Sequence, residues 1–323
     1  MGQNENLLKE ILLYNDKQSR EFMRMAADRK RFVVVHPTKI IVFACMDGRI
    51  NFPLCVGLPF GIVSSFRSLG AVFDLGDPRF SKTLKMAVKG VLSEDRDCLF
   101  VATYHYSKGD KYRGCKGWNY DTEASIAGAE KLCAELGKMF AAAKNRVCSV
   151  TLGIETDEDR FIVSPYASPE KIPASMRKDI GFILAENAKH VSNLPKRTEK
   201  EMCHGEHIIA VGTGFDWIHS YNKAVIIGPW SEDLSRPVGA AAGIILSNIK
   251  EGRISEGEGA MLVCSAVSKN TTMAARALAE KDAKALSERC VKIIASHAPE
   301  LVPYLAVLAG TTDSRTRKFL PVR

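Results

Sequence analysis

Apolar residues recur at helical spacing near the start of the chain. Leu7, Leu8, Ile11 and Leu12 form one stripe, with Phe22, Met23 and Met25 further along, and the spacing predicts a helix over residues 4–31. Phe32-Val33-Val34-Val35 and Pro37 interrupt it. From there short continuous apolar runs alternate with amphipathic ones. Strands are predicted over 39–44, 60–66, 98–104, 147–153 and 161–163, and helices over 80–92 and 122–144. A proline- and charge-rich stretch then runs from about residue 164 to 200 around a helix at 176–190. A second alternation follows, with strands at 208–211, 224–228 and 260–265 and helices at 238–249 and 272–294. Strands alternating with helices predict an α/β protein with a mostly parallel central sheet flanked by helices, followed by a second α/β half. The breaks in the pattern divide the chain into an N-terminal helical arm (1–36), a central domain (37–165) and a C-terminal α/β domain (166–323).

The two halves echo one another. His207-Ile208-Ile209-Ala210-Val211-Gly212-Thr213 aligns with Lys39-Ile40-Ile41-Val42-Phe43-Ala44-Cys45, and Met261-Leu262-Val263-Cys264-Ser265-Ala266-Val267 aligns with the run from Leu99 to His105. In that register Thr213 replaces Cys45, Phe215 replaces Asp47, Trp217 replaces Arg49 and Val267 replaces His105. The C-terminal half is therefore expected to be a degenerate repeat without metal ligands.

Composition narrows the class. With 323 residues, 46% of them hydrophobic, the chain can bury one sizeable core or two. No window is apolar over the ~20 residues of a membrane span. The N-terminal segment has neither a secretory nor a myristoylation pattern. Nine scattered cysteines argue against a disulfide framework, so a reducing, cytoplasmic setting is expected. The net charge of +8 is spread over short basic pairs and not concentrated in a run, which argues against nucleic acid as a partner.

The candidate chemistry lies at strand ends. Cys45-Met46-Asp47-Gly48-Arg49 follows the first apolar run directly, and His105 ends the run that begins at Leu99, with Cys115 beyond it. Active sites of parallel α/β sheets sit at the carboxyl ends of strands. Two thiolates and one imidazole can hold Zn²⁺ with a fourth position free, as catalytic zinc sites do. Asp47 is placed to manage a proton there, and Arg49 to pair with Asp47 and keep it off the metal.

These segments resemble the β-class carbonic anhydrases, whose signature is Cys-x-Asp-x-Arg, then Arg-Asn-x-Gly, then His-x-x-Cys. The first element is intact as Cys45, Asp47 and Arg49, and Arg67-Ser68-Leu69-Gly70 approximates the second. The third departs, because nine residues separate His105 from Cys115, a spacing similar to the carboxysomal and cadmium-type relatives. The resemblance covers roughly residues 5–165. It implies a β-carbonic-anhydrase-like catalytic domain over 37–165, with zinc on Cys45, His105 and Cys115. The implied reaction is the reversible hydration of CO₂ to bicarbonate by hydroxide formed at zinc, oriented by Asp47 and Arg49. A homodimer or an internal pseudo-dimer is implied as well. Two alternatives stand beside it: a hydrolase of CO₂-like molecules such as carbonyl sulfide or carbon disulfide, and a non-catalytic zinc-containing scaffold. The widened loop is expected to carry Lys108, Asp110, Lys111 or Tyr112 over the metal, and His36 and Tyr106 are the candidate proton shuttles.

Competing motifs are weaker. Cys203, His204 and His207 form a compact group with no matching pair nearby, and Gly212-Thr213-Gly214 lacks the third glycine of a phosphate loop. No Gly-x-Ser-x-Gly nucleophile elbow is present. Cys98, Cys133, Cys148, Cys264 and Cys290 sit in apolar patterns and read as core.

Overall fold

The computed structural model describes residues 3–50, 52–164, 172–193, 209–213, 224–228, 233–254, 260–268 and 272–322. The helices are α1 (Gln3–Arg24), α2 (Ala26–Val35), α3 (Phe52–Cys55), α4 (Pro78–Ser93), α5 (Thr122–Met139), α6 (Ala174–Val191), α7 (Ser235–Lys250) and α8 (Met273–His297). The strands are β1 (Lys39–Cys45), β2 (Ser64–Ser68), β3 (Cys98–Tyr106), β4 (Val147–Glu155), β5 (Arg160–Val163), β6 (Ile209–Thr213), β7 (Ala224–Ile227), β8 (Ala260–Ser268), β9 (Leu305–Asp313) and β10 (Phe319–Pro321). The chain is an α/β protein of two compact units, one spanning 26–202 and the other combining 1–25 with 203–323.

In the 26–202 unit the strands run in the order β2-β1-β3-β4-β5, parallel except for the antiparallel edge strand β5. Every residue of β1 after Lys39, and every residue of β3 before Tyr106, is buried. Such continuous apolar strands are what a parallel sheet covered on both faces requires. Helix α4 contributes Phe80, Leu84, Val88 and Val91 to the core, and α5 contributes Ile126, Ala129, Leu132 and Leu136, both sets at helical spacing. Aspartates cap the two helices: the Asp77 side chain accepts from Phe80 N and that of Asp121 from Ala124 N. Phe43 lies at the centre, its ring meeting those of Phe66, Phe73, Phe80 and Phe100.

Several boundaries differ from the expectation. The N-terminal helix is two helices broken at Met25, and the second continues through Val35, stopping just before Pro37, where a helical backbone is sterically disfavoured for the preceding residue. The strand expected over 60–66 begins only at Ser64, because Gly57 and Gly61 take positive φ in the turn before it. The helix expected to reach residue 144 ends at Met139 and tightens into a 3-10 turn.

The domain boundaries at 36 and 165 move to 25 and 202 for specific physical reasons. Helix α6 is fastened to the sheet unit by Asn187, whose side-chain amide donates to Cys55 O (2.8 Å) and Asp159 O (2.9 Å) while its oxygen accepts from Phe161 N (2.7 Å). Asp179 accepts from Thr38 N (3.1 Å) and faces His36 Nδ1 at 2.9 Å. Asn187→Ala removes the three hydrogen bonds by which α6 holds buried backbone groups, so it is expected to lower the unfolding free energy by roughly 2–4 kcal/mol in urea titration.

The other unit has the order β10-β9-β8-β7-β6, parallel except for antiparallel β10. Helix α1 belongs here. Asn15 Nδ2 donates to Arg317 O (3.0 Å), Ser19 Oγ donates to Thr316 O (2.8 Å), and Phe319 N donates to Asn15 Oδ1 (2.8 Å). The predicted echo holds for β8, which like β3 spans nine residues and lies parallel to a nine-residue strand that carries an antiparallel edge strand. It fails for β6. The strand beside β8 is β7, whereas the strand beside β3 is β1, so Thr213 stands one strand further out than Cys45 does. Among the described residues no helix is long and apolar enough to cross a membrane.

Candidate metal centre

Parallel pairing of β1 with β3, in the register Phe43 opposite Ala102, brings Cys45 and His105 to the same end of the sheet. Cys115 returns to that point after the nine-residue loop. All three side chains are buried, and their ligand atoms lie within 4.8 Å of one another. The two sulfurs are 4.0 Å apart, close to the ~3.8 Å that tetrahedral geometry demands of two thiolates on one zinc ion. Neither ring nitrogen of His105 has a hydrogen-bond partner although both are buried. An imidazole left so is costly unless something else meets its lone pair. A metal ion fits that need, and among the described residues these three side chains are the one group of this kind.

The thiols themselves are set apart from the other cysteines. Hydrogen bonding from the Cys115 thiol holds Cys45 well below the ordinary thiol range against the opposing effect of burial. Cys115 is pushed up in turn, because its thiol proton is held in the hydrogen bond to Cys45 and because burial and the Cys45 charge both oppose its ionisation. A divalent cation removes that conflict by binding both as thiolates. Burial pushes Cys98 up to about 12 and raises Cys133, Cys148 and Cys264, which keeps them protonated. Of the five cysteines read as core, Cys98, Cys264 and Cys290 are fully buried, while Cys133 and Cys148 are half-buried near the surface.

Asp47 is turned onto Arg49 and held there. Arg49 donates from its backbone N (3.0 Å) and Nε (3.1 Å) to Asp47 Oδ1 and from Nη2 to Oδ2 (2.6 Å). The guanidinium is 1% exposed as a residue, and although burial disfavours its charge, the Asp47 carboxylate more than restores it, raising its pKa. Arg49 Nη2 also donates to Arg113 O at 2.8 Å. Arg67 braces the same turn from below, donating to Cys45 O (3.2 Å), Asp47 O (2.5 Å) and Ile50 O (2.5 Å). Where the turn after Cys115 crosses the one after Arg67, Gly117 and Gly70 touch backbone to backbone. A Cβ on Gly117 would sit 2.6 Å from Gly70 N, and Trp118 Nε1 seals the contact by donating to Gly70 O at 2.7 Å.

The structure thus gathers Cys45, Asp47, Arg49, His105 and Cys115. It does not bring in the shuttle candidates. His36 precedes β1, at the opposite end of a strand ~20 Å long, and its ring packs at a tilt against those of Phe32 and Phe182. Tyr106 follows His105 directly in β3, so strand alternation sends its side chain to the opposite face. Lys108, Lys111 and Tyr112 are exposed, and what the loop gives the site is the Arg113 carbonyl. That contact had no sequence signal, since any residue type supplies a carbonyl. The bracing role of Arg67 did have one, an arginine directly after the apolar run that ends at Phe66. Cys203, His204, His207, Gly214, Phe215 and Trp217 lie outside the described residues.

No family model matches the chain, and no curated protein matches it.

Proposed function

We propose that the chain is a zinc-dependent carbonic anhydrase of the β class, acting on CO₂ and bicarbonate. The observation that carries this reading is a single arrangement: two paired thiols and a partnerless buried imidazole beside an aspartate whose oxygens are engaged by a buried arginine. A purely structural metal site calls for a fourth protein ligand, and here the carboxylate two residues beyond Cys45, that of Asp47, is held by Arg49 instead. Two thiolates with one imidazole favour zinc over harder cations such as magnesium or calcium. A zinc ion on Cys45, His105 and Cys115 would lower the pKa of a water in its fourth position toward neutrality.

The chain's own residues do the rest. Asp47, its charge compensated by Arg49, accepts a proton from the attacking water, passes it on to buffer, and aims that water's lone pair at the carbon of CO₂. Arg49 fixes the carboxylate in this orientation and keeps it from becoming a ligand itself. Arg67 keeps the turn carrying Asp47 in register with Cys45 by holding three of its carbonyls. Burial of the group excludes bulk solvent, which strengthens each of these interactions.

The test is stopped-flow CO₂ hydration with metal-analysed protein. Hydration above the buffer rate somewhere between about pH 7 and 9 is expected. Fully metal-loaded protein that shows none across that range overturns the proposal and leaves the scaffold reading. Sulfide release from carbonyl sulfide without CO₂ hydration would identify the hydrolase instead.

A further inference from the structure

The loop between His105 and Cys115 is tied down from the turn that joins β4 to β5. Glu155, 1% exposed, accepts Lys108 N (3.2 Å) and Asp157 N (3.2 Å) on Oε1 and Glu158 N (3.0 Å) on Oε2. Asp157 accepts the Ser107 hydroxyl on both oxygens (2.9 Å each) and Gly109 N at 2.8 Å. Ser107 Oγ accepts Asp110 N at 3.0 Å, and Tyr106 O accepts both the N (2.9 Å) and the hydroxyl (3.0 Å) of Thr156. From Asp110 the loop is held by its own bonds: its side chain accepts Tyr112 N, its carbonyl accepts Arg113 N, and Lys111 O accepts Gly114 N, each at 2.9 Å. The last link is Arg113 O, which receives Arg49 Nη2 at 2.8 Å. An unbroken series of hydrogen bonds therefore runs from two acidic side chains on the β4–β5 turn to the guanidinium that holds Asp47.

The charges agree with this path. Burial raises the Glu155 carboxyl, with Asp157 adding to the effect. Asp157 is lowered despite burial, because the Gly109 amide and Ser107 hydroxyl donate to it. The Asp157 charge is also felt at Arg49.

We propose that Glu155 and Asp157 are positioning residues: through the 107–114 loop they set the Arg113 carbonyl that keeps Arg49 on Asp47, and so keep Asp47 from filling the metal's open position. The proposal rests on the carbonic anhydrase reading for its effect on rate, but not for its effect on coordination. Releasing the loop removes the Arg113 carbonyl as an anchor of Arg49. Its hold on Asp47 loosens, and Asp47, two residues from a ligand, is free to turn toward the metal.

The experiment uses the full chain loaded with Co²⁺, whose visible absorption reports the number and type of ligands. Asp157→Ala and Glu155→Gln are expected to bind one equivalent of cobalt, with a spectrum shifted from the wild type toward that of Arg49→Ala. Adding Asp47→Asn to Asp157→Ala should return the spectrum to that of Asp47→Asn alone, a reversal that general loosening of the fold does not produce. Zinc-loaded Asp157→Ala should hydrate CO₂ about 10–100-fold more slowly, the usual effect of removing an outer partner of a metal site. If Asp157→Ala fails to fold, Ser107→Ala cuts the same link more mildly and should shift the spectrum in the same direction. A wild-type cobalt spectrum in folded Asp157→Ala and Glu155→Gln overturns the proposal, whatever the wild type's activity. Shifted spectra in a protein that never hydrates CO₂ would uphold the positioning role and overturn the enzymatic reading alone.

Discussion

Cys115→Ser is expected to leave the purified protein with almost none of its metal. Removing outer partners of metal sites already costs about 10–100-fold in affinity, so loss of one of only three protein ligands should cost more than about 100-fold. Serine is nearly isosteric, so the fold around it has little reason to change. What it cannot do is ionise: the hydroxyl stays protonated where the thiol gives way to a cation. Stability should follow metal content. At a free metal concentration 100 times Kd, binding adds about 2.7 kcal/mol to the folded state. A chelator should therefore lower the melting temperature of the wild type and leave that of Cys115→Ser unchanged. Metal analysis and thermal scans with and without chelator check both parts. Full metal occupancy in Cys115→Ser would remove this residue from the site and, with it, the basis of the functional reading.

Asp47→Asn should show the opposite separation, keeping the metal and losing the chemistry. Asp47 is held by Arg49 and is not one of the three ligands, so stoichiometry should stay near the wild type's. The amide cannot take the proton, and loss of a positioned general base typically slows a reaction about 100–10,000-fold. The substitution also removes the charge that faces Arg49, which lies 0% exposed in its side chain against Asp47 at 2.6 Å. Breaking a buried ion pair from one side costs about 3–5 kcal/mol, but here the asparagine oxygen and Arg113 O still accept from Arg49, so roughly 2–3 kcal/mol is expected. Rates compared at equal metal content, with urea unfolding run in parallel, separate the two effects. If Asp47→Asn hydrates CO₂ as fast as the wild type, Asp47 has no part in the reaction.

The residues that could be read from the sequence were those whose role is set locally. β1 and β3 announce themselves as buried apolar runs, and the candidate site lies where such strands stop, so the grouping of Cys45, Asp47, Arg49 and His105 was legible. Cys115 was legible only through its residue type, because the path of the loop before it is set by Glu155 and Asp157, some 50 residues on. Long-range hydrogen bonds also explain the misplaced boundaries. Nothing around residue 165 signals that Asn187 will reach back to Cys55, 132 positions earlier. Met25 carries no proline or glycine to mark the break between α1 and α2. β9 escaped the sequence pattern because Leu305-Ala306-Val307-Leu308-Ala309 is a short apolar run without a period, which suits strand and helix equally. The echo between halves was legible in β8, where a nine-residue strand is matched to β3, and misled in β6, where order in the chain and order in the sheet part company.

The bonds from Asn15 and Ser19 to Arg317 and Thr316 join positions about 300 residues apart. On the ribosome α1 is made well before its partner segment. At 5–20 residues per second the helix waits roughly 15–60 seconds for Phe319 to exist. During that interval the 26–202 unit has time to form, while the apolar stripe of α1 is open to any chaperone that recognises nascent amphipathic helices. Birth order thus leaves α1 unsecured until long after it has been made.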